Sequence, residues 1–538
     1  VITNPILPGF HPDPSILRIG DDYWIATSTF EWLPGIRLHK SRDLRHWEPA
    51  GAVLTRPSQL DLRGVAPSKG VWAPDLSRDE TGLCWMAYSV VRGITDNFFD
   101  LDNYAVTAAS PEGPWSDPIY LNSSGFDPAL YHENGRTWTV NLEWDFQPGH
   151  EHPGPIVLQE FSRADQKLIG EPVRVYKGGT DRGCLEGPRL FRRGAYYYLM
   201  AAEGGTGYGH AVTLARSASL AGPWEADPAG PIVTSALDFS ARGDPAYLKP
   251  EHYNPVSPLQ KSGHGALVET PKGQPYLVHL CSRPGTGLRC HLGRETAIQA
   301  MEWKDGWLRM AGGGNLAKLT VPEPDLPVVE AVPEPTRDDF DAGRFSDHWT
   351  SPRTWFGDDW VGWSRAGWVG LRGRESLFST YRPSLAARRV QHWNFEAETR
   401  MVFAPRCYQQ RAGLACVYDT NNFIFLYVSW SEEARAPYGG IFRAENGKWT
   451  DDPADRVPLT GSAETPVRLG LTARDERLQF AWARDGGPLR PIGPPFGQTA
   501  LSDEACGGFT GAMVGLAAED LATRTAWAWF DWFDYRPS

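Results

Sequence analysis

The chain has 538 residues, a net charge of −12, 7 Cys, and an aromatic content of 23 Trp, 19 Tyr and 23 Phe. That length exceeds what one hydrophobic core spans, so two or more domains are expected. No Lys/Arg block and no apolar run of about 18 residues occurs, which argues against nucleic acid, anionic membrane and a membrane span.

The first ten residues, "VITNPILPGF", lack the basic and apolar regions of a signal peptide. The cysteines (Cys84, Cys184, Cys281, Cys290, Cys407, Cys416 and Cys506) are scattered without a CxxC pair. Both features lead to an expected cytoplasmic location, although a signal already removed leaves the same start. The aromatic excess suits β-structure. It also suits sugar binding, where flat rings stack on the apolar faces of pyranoses.

In chain order, "GFHPDPSI" (residues 9–16) comes first and sets Asp13 between Pro12 and Pro14. Proline restricts its own φ and the residue before it, so this aspartate sits on stiff backbone. Strand-like runs follow: "DDYWIATST", "GLCWMAYSVV", "RTWTVNLEW", "AYYYLMAAE" and "QPYLVHLCS". They are short, aromatic or β-branched, and bounded by turn residues. No long stretch has helical periodicity, and the chain reads as all-β.

A weak repeat runs through this half: "SRDLRHWEPAG" from Ser41, "SPEGPWSDPI" from Ser110, "SRADQKLIGEPV" from Ser162 and "SASLAGPWEADP" from Ser217. A looser unit ends at "MEWKDGW", residues 301–307. A period of roughly 50 to 70 residues suits four-stranded blades with loops. Five units predict a five-bladed β-propeller over residues 1–318, with a pair of β-sandwiches as the competing architecture. Residues 319–337 form a Pro-rich linker. Alternating strands resume over 338–538 ("HWNFEAETRMVF", "NNFIFLYVSW", "RLGLTAR", "LQFAWAR", "TAWAWFDWFDY"), predicting a lectin-like β-sandwich domain.

Acids recur with the blades. Asp75 lies in "VWAPDLS", Asp127 in "SGFDPAL" and Glu186 in "CLEGPRL", at intervals close to the repeat from Asp13. Equivalent positions of successive blades surround one central channel, so these side chains are expected to converge. Like charges raise one another's pKa, and a site that keeps one acid protonated beside an ionised one is equipped for glycoside hydrolysis. Singly, Asp-Pro and Glu-Gly-Pro are ordinary turn punctuation; it is their common phase that argues for function. No contiguous D-x-D-x-D calcium loop is present.

Together "NPILPGFHPDPSI", "WAPDLS", "GFDPALY", "LEGPRL", "LGRETAIQAMEWKDGW" and "GGFTGAMVGLAAED" resemble glycoside hydrolase family 43, more narrowly its two-domain β-xylosidases, over nearly the whole chain. The resemblance implies a five-bladed propeller, a following sandwich and an inverting hydrolysis by three acids. By motif, Asp13 matches the general base that activates water, and Glu186 the general acid. Asp127 matches the acid that orients Glu186 and raises its pKa. Asp75 is not among them, so the spacing argument counts one acid too many; its neighbour Trp72 matches a pocket wall.

Phe30 in "STFEWLPG" and Trp144 in "NLEWDF" match further aromatic walls. Arg294 in "LGRET", rather than Arg289, resembles the arginine on the sugar hydroxyls, where a planar fork engages two oxygens. Phe509 in "GGFTG" matches an aromatic that the second domain delivers to the pocket mouth. Closure there implies exo-action on one terminal sugar with a short aglycone. His264 in "SGHGALV" matches a histidine near the channel floor that some members use for a divalent cation such as calcium. A lone histidine is a weak metal signal, so no cofactor is expected and His264 reads as a hydrogen-bonded residue of the substrate site. His11 reads as packing. The segment "RPGTGLRCHLGRET" is short between Arg283 and Arg289, which is expected to bear on aglycone preference.

The expected activity is release of xylose from the non-reducing ends of xylooligosaccharides, with secondary α-L-arabinofuranosidase activity, by a homo-oligomer (dimer or tetramer). Its rivals are a primary α-L-arabinofuranosidase, a retaining propeller glycosidase and a non-catalytic sugar-binding propeller.

Overall fold

The structure, a computed structural model, describes residues 1–95, 98–150, 153–240, 248–330, 333–459 and 465–538, and counts of strands and clusters refer to these. Two residues of the Pro-rich linker, 331 and 332, lie outside them.

Five antiparallel sheets are built from consecutive strands, and each forms one blade of a propeller. Their innermost strands are Ser15–Ile19, Gly70–Arg78, Ala129–Glu133, Glu186–Arg193 and Gln260–Glu269. The aromatic and β-branched runs of the sequence supply every second strand: Asp22–Thr27, Cys84–Thr95, Arg136–Leu142, Tyr196–Glu203 and Pro275–Ser282. Adjacent blades cover both faces of those strands, which is why their residues are mostly apolar and buried. The repeated Ser-turn lies at the end of each third strand, at Ser41, Ser110, Ser162 and Ser217.

Because each blade is made of consecutive strands, no sheet is shared between the first and the last. The ring is closed instead by the N-terminal segment. Asn4 Nδ2 donates to Ile298 O (2.7 Å), Leu7 bridges Thr296, and Thr296 Oγ1 donates to His11 O (2.6 Å). Ile2–Thr3 also pairs with Thr320–Val321 at the start of the Pro-rich segment.

The second domain is a sandwich of an eight-stranded and a seven-stranded sheet. Its core packs Trp360, Phe395, Leu414, Leu426, Phe480 and Phe530 between the sheets. The two domains are sewn together along blade 1. Ser351–Pro352 pairs with Trp32–Leu33, Arg353 Nε donates to Val65 O (2.6 Å), and Arg389 Nε donates to Phe10 O (2.6 Å). One apolar cluster runs through both domains, joining Phe10, Phe30, Trp32 and Trp72 to Leu385, Val417 and Phe423.

Candidate active site

Near the channel end of each innermost strand, or just before it, stands a residue in left-handed backbone: Asp13 (φ 54°), Ala73 (41°), Asp127 (55°), Gly187 (57°) and His264 (51°). A proline follows the first four and Gly265 the fifth. These five are the structurally equivalent positions of the blades. A non-glycine residue held in this region costs on the order of 1–3 kcal/mol, and such strain collects at functional sites.

This corrects the phase inferred from spacing. Asp13 and Asp127 are equivalent to each other. Glu186 stands one residue earlier, at the position of Trp72 and Phe126, and Asp75 two residues later, at the position of Ser15 and Arg189. A β-bulge intervenes in blade 2 between Trp72 and Asp75, and in blade 4 between Glu186 and Arg189. The bulge turns the side chains on its two sides to different levels of the channel. Asp75 therefore lies with Arg189, whose Nε is 3.1 Å away, and not with the other three acids.

Asp13, Asp127 and Glu186 converge. Ser28 Oγ donates to Asp13 Oδ2 (2.7 Å) and accepts from Ala73 N (2.7 Å), tying the base position to the next blade. His264 Nδ1 lies 3.7 Å from Asp13 Oδ1. The same imidazole packs on Gly187 so closely that a Cβ there would stand 3.0 Å from Nε2. Gly187 N donates to Asp127 Oδ2 (2.9 Å), and Asp127 N in turn donates to Ser89 Oγ (3.1 Å). Glu186 Oε1 lies 3.7 Å from His210 Nε2, whose ring is fixed by Lys261 O on Nδ1.

Electrostatics separates the acids. Burial pushes Glu186 up to about 7, with the Asp13 charge adding to the rise and the Arg294 and Lys249 cations opposing it. Burial, then Glu186 and then Asp13, hold Asp127 well above the carboxylate range. Asp13 is raised by burial but is restrained by Arg294, the Ser28 hydrogen bond and Arg189. His264 and His210 are both driven down by burial first, His210 to about 3, so both are neutral. The orienting role expected of Asp127 runs through the backbone N–H next to Glu186. The lift on Glu186 comes first from burial and then from Asp13.

Aromatic rings wall the acids. Trp72 meets Phe30 (centroids 5.8 Å), Phe126 (5.5 Å) and Phe509 (5.5 Å). Phe30 meets Phe509 at 5.6 Å, so the second domain does place its aromatic in this cluster. Trp144 stands one ring further out, on Phe99 (4.1 Å) and Phe126 (6.1 Å). Motif reading passed over Phe126, Lys69 and Arg189. Alignment of the five strand starts would have found Phe126, which occupies the Trp72 position. Lys69, whose ammonium sits 5.2 Å from the Phe509 ring, and Arg189 carry no such signal.

Arg294 Cζ lies 4.7 Å from the Phe509 centroid, and its buried Nε meets no hydrogen-bond partner among the described residues. Its preceding residue, Gly293, is in left-handed backbone where a Cβ would stand 1.7 Å from Thr510 O. Only glycine lets the "GGFTG" loop come this near. His11 packs edge-on against His39 (4.7 Å). The short segment after Arg283 docks on the second domain, with Thr286 N donating to Glu476 Oε1 (2.7 Å).

A calcium-type ion takes six to eight oxygen ligands. Asp13 is the carboxylate beside His264, and the guanidinium of Arg189 donates to the carbonyl of adjacent Gly265 (2.9 Å). No group of three or more His, Cys, Asp or Glu side chains among the described residues is placed to hold a metal. The Arg189 guanidinium is a fixed cation next to His264 and opposes a second one there.

A propeller channel that holds three buried carboxyls at different proton affinities inside an aromatic and arginine wall defines a carboxylate-based glycosidase. Comparison with known families agrees. Residues 2–308 match the model "Glycosyl hydrolases family 43", and residues 337–536 match "Beta xylosidase C-terminal Concanavalin A-like domain". The chain belongs to glycosyl hydrolase family 43. It is 44% identical over 100% of its length to a xylosidase/arabinosidase 43B of Humicola insolens, covering 98% of that protein. It is 38% identical to a β-xylosidase of Bacillus subtilis, with 99% of each chain covered. Among solved structures, the xylan β-1,4-xylosidase of Bacillus halodurans superposes with a TM-score of 0.94 at 45% identity, both chains covered in full.

Proposed function

We propose that this protein is an exo-acting, inverting β-xylosidase that releases xylose from the non-reducing ends of xylooligosaccharides, with secondary α-L-arabinofuranosidase activity. The observation that carries the reading is the division of labour among the buried acids: Glu186 at about 7, Asp13 restrained by two arginines and a serine. In the reaction, Asp13 takes a proton from water as its oxygen attacks the anomeric carbon. Glu186 gives its proton to the glycosidic oxygen as the C–O bond breaks. Asp127 holds the backbone beside Glu186 throughout. Phe30, Trp72 and Phe509 supply flat surfaces for the terminal sugar, and Arg294 supplies donors for its hydroxyls. The dual activity rests on the names of relatives, one a xylosidase/arabinosidase at 44% identity and one a non-reducing-end α-L-arabinofuranosidase of Bacteroides ovatus at 32%.

The test is proton NMR of xylobiose hydrolysis. The α-anomer of xylose is expected as the first product, and Asp13→Ala and Glu186→Ala should each abolish its release. First formation of the β-anomer would overturn the inverting assignment. Hydrolysis that survives both substitutions would overturn the site. A kcat/KM higher on the nitrophenyl α-L-arabinofuranoside than on the β-xyloside would reverse the order of the two activities. The cysteines are scattered without a CxxC pair, which supports a reducing, cytoplasmic setting. Assembly as a dimer or tetramer rests on the family resemblance and is read by light scattering.

A further inference from the structure

Below the acids, Arg189 reaches across the channel. It leaves the inner strand of blade 4, three residues after Glu186, and its Nε donates to Asp75 Oδ1 of blade 2 (3.1 Å). Nη2 donates to Pro74 O of the same blade (3.3 Å), and Nη1 to Gly265 O of blade 5 (2.9 Å). Asp75 continues the web, with Oδ2 accepting from Leu130 N of blade 3 (3.2 Å). Ser15 of blade 1 joins through its Oγ, which hydrogen-bonds the Asp75 carboxyl and accepts from Leu76 N (2.8 Å). One buried ion pair thus touches the inner strands of all five blades. Its side chains are only 12% and 11% exposed, and all three nitrogens of the guanidinium donate.

The carbonyls that Arg189 grips are those of Pro74 and Gly265. Each immediately follows a left-handed residue, Ala73 and His264, in the ring that also holds Asp13 and Asp127. No sheet closes this ring, so a bond across the channel floor sets how far apart the strand starts sit. Beneath the acids a cavity of about 460 Å³ is lined by both members of the pair together with Ser77, His132 and Trp303, and by none of the three acids. The pair is therefore a floor between that cavity and the acids. It also places positive charge beside three titrating groups, lowering Asp13, Asp127 and His264.

We propose that Arg189, held by Asp75, is a positioning residue for the hydrolysis: it locks the five strand starts at the spacing the reaction needs and serves as a fixed cation beneath Asp13. This rests on the assignment of Asp13 as the base. Asp13 is faced by Arg294, His264, Asp127 and Glu186 besides Arg189, and Arg189 is the cation whose three nitrogens are already bonded to protein acceptors.

The experiment compares wild type with Arg189→Met and Arg189→Lys, on xylobiose, over the full pH range, after a thermal melt confirms folding. For Arg189→Met the expected kcat is lower by ~10-fold or more, as misplacement of about an ångström costs. Its acidic limb should move to higher pH, because Asp13 has lost a nearby cation, and added guanidinium ion should recover part of kcat. Arg189→Lys keeps the charge and loses the fork, so its acidic limb should stay while kcat falls. A folded Arg189→Met with wild-type kcat and limb overturns the proposal. So does one that loses activity with neither a limb shift nor guanidinium rescue, since that is a structural role only. If Arg189→Met does not fold, Arg189→Lys decides: a reduced kcat at an unmoved limb, with an unchanged KM and a wild-type melting temperature, supports the proposal, and wild-type kinetics, or a loss that follows the melting temperature, overturn it. An inactive wild type would instead refute the functional reading itself.

Discussion

A carboxyl that protonates a leaving oxygen near neutral pH has to hold its proton against water. Glu186 does so chiefly by burial, which lifts it to about 7. As a raised acid it is competent below that value and is lost as the pH climbs through it. The kcat/KM profile is therefore expected to fall on its basic side around pH 7. On the acidic side it should fall where Asp13 protonates, at a pH above the ordinary aspartate range. Glu186→Gln should remove the basic limb and cost ~10²–10⁴-fold in kcat on xylobiose. On a dinitrophenyl xyloside, whose leaving group needs little protonation, the loss should be much smaller. Equal losses on both substrates would remove Glu186 from the acid role. Asp127 acts differently, since its bond is to Gly187 N. Asp127→Asn keeps an acceptor there, so it should retain more activity than Asp127→Ala in steady-state kinetics.

At the scale of elements, the site depends on five strand starts and one loop. Gly293 and "GGFTG" approach so closely that Gly293→Ala would force Cβ into Thr510 O. The expected result is a folded protein with KM raised several-fold, because Phe509 and Arg294 shift together; Phe509→Ala should raise KM similarly without lowering the melting temperature of the propeller. A substrate titration of both variants reads this, and unchanged KM would detach the loop from the pocket.

Much of this level was legible beforehand. The second strand of each blade stands out because a strand covered on both faces must be apolar throughout. The Ser-turns after the third strands gave the period. The phase of the acids was not legible, because a bulge adds a residue without changing the composition around it, and Asp75 and Glu186 fell on different sides of it. Arg189 in "LEGPRL" carries no signal of its role, since nothing local in a sequence announces a bond to a carbonyl on another blade.

At the scale of the molecule, the domains are joined by charge as well as by apolar contact. Lys261 of blade 5 is fully buried and pairs with Glu504 Oε1 (2.6 Å), with Asp503 Oδ2 at 3.6 Å. Both acids lie in the short helix Asp503–Cys506 that leads into "GGFTG". Tyr418 of the sandwich donates to Asp503 Oδ1 (2.7 Å) and accepts from Thr510 N (3.1 Å). Removing one partner of a buried ion pair leaves an uncompensated charge and costs about 3–5 kcal/mol. Lys261→Met should therefore lower the melting temperature by several degrees and raise KM at the same time, since the loop that carries Phe509 loses its anchor. A melt and a titration on one preparation would show it, and a lower melting temperature at constant KM would uncouple the helix from the pocket.

The delivery of Phe509 across the domain boundary has a practical consequence for recombination. Phe509 N donates to Ser68 Oγ of the propeller, and its loop is seated against Gly293. Exchanging either half with that of a relative therefore exchanges half of a lock. Chimeras are expected to work only where donor and recipient carry matching residues on both sides of that seam, so libraries built to alter substrate choice should vary the two faces jointly.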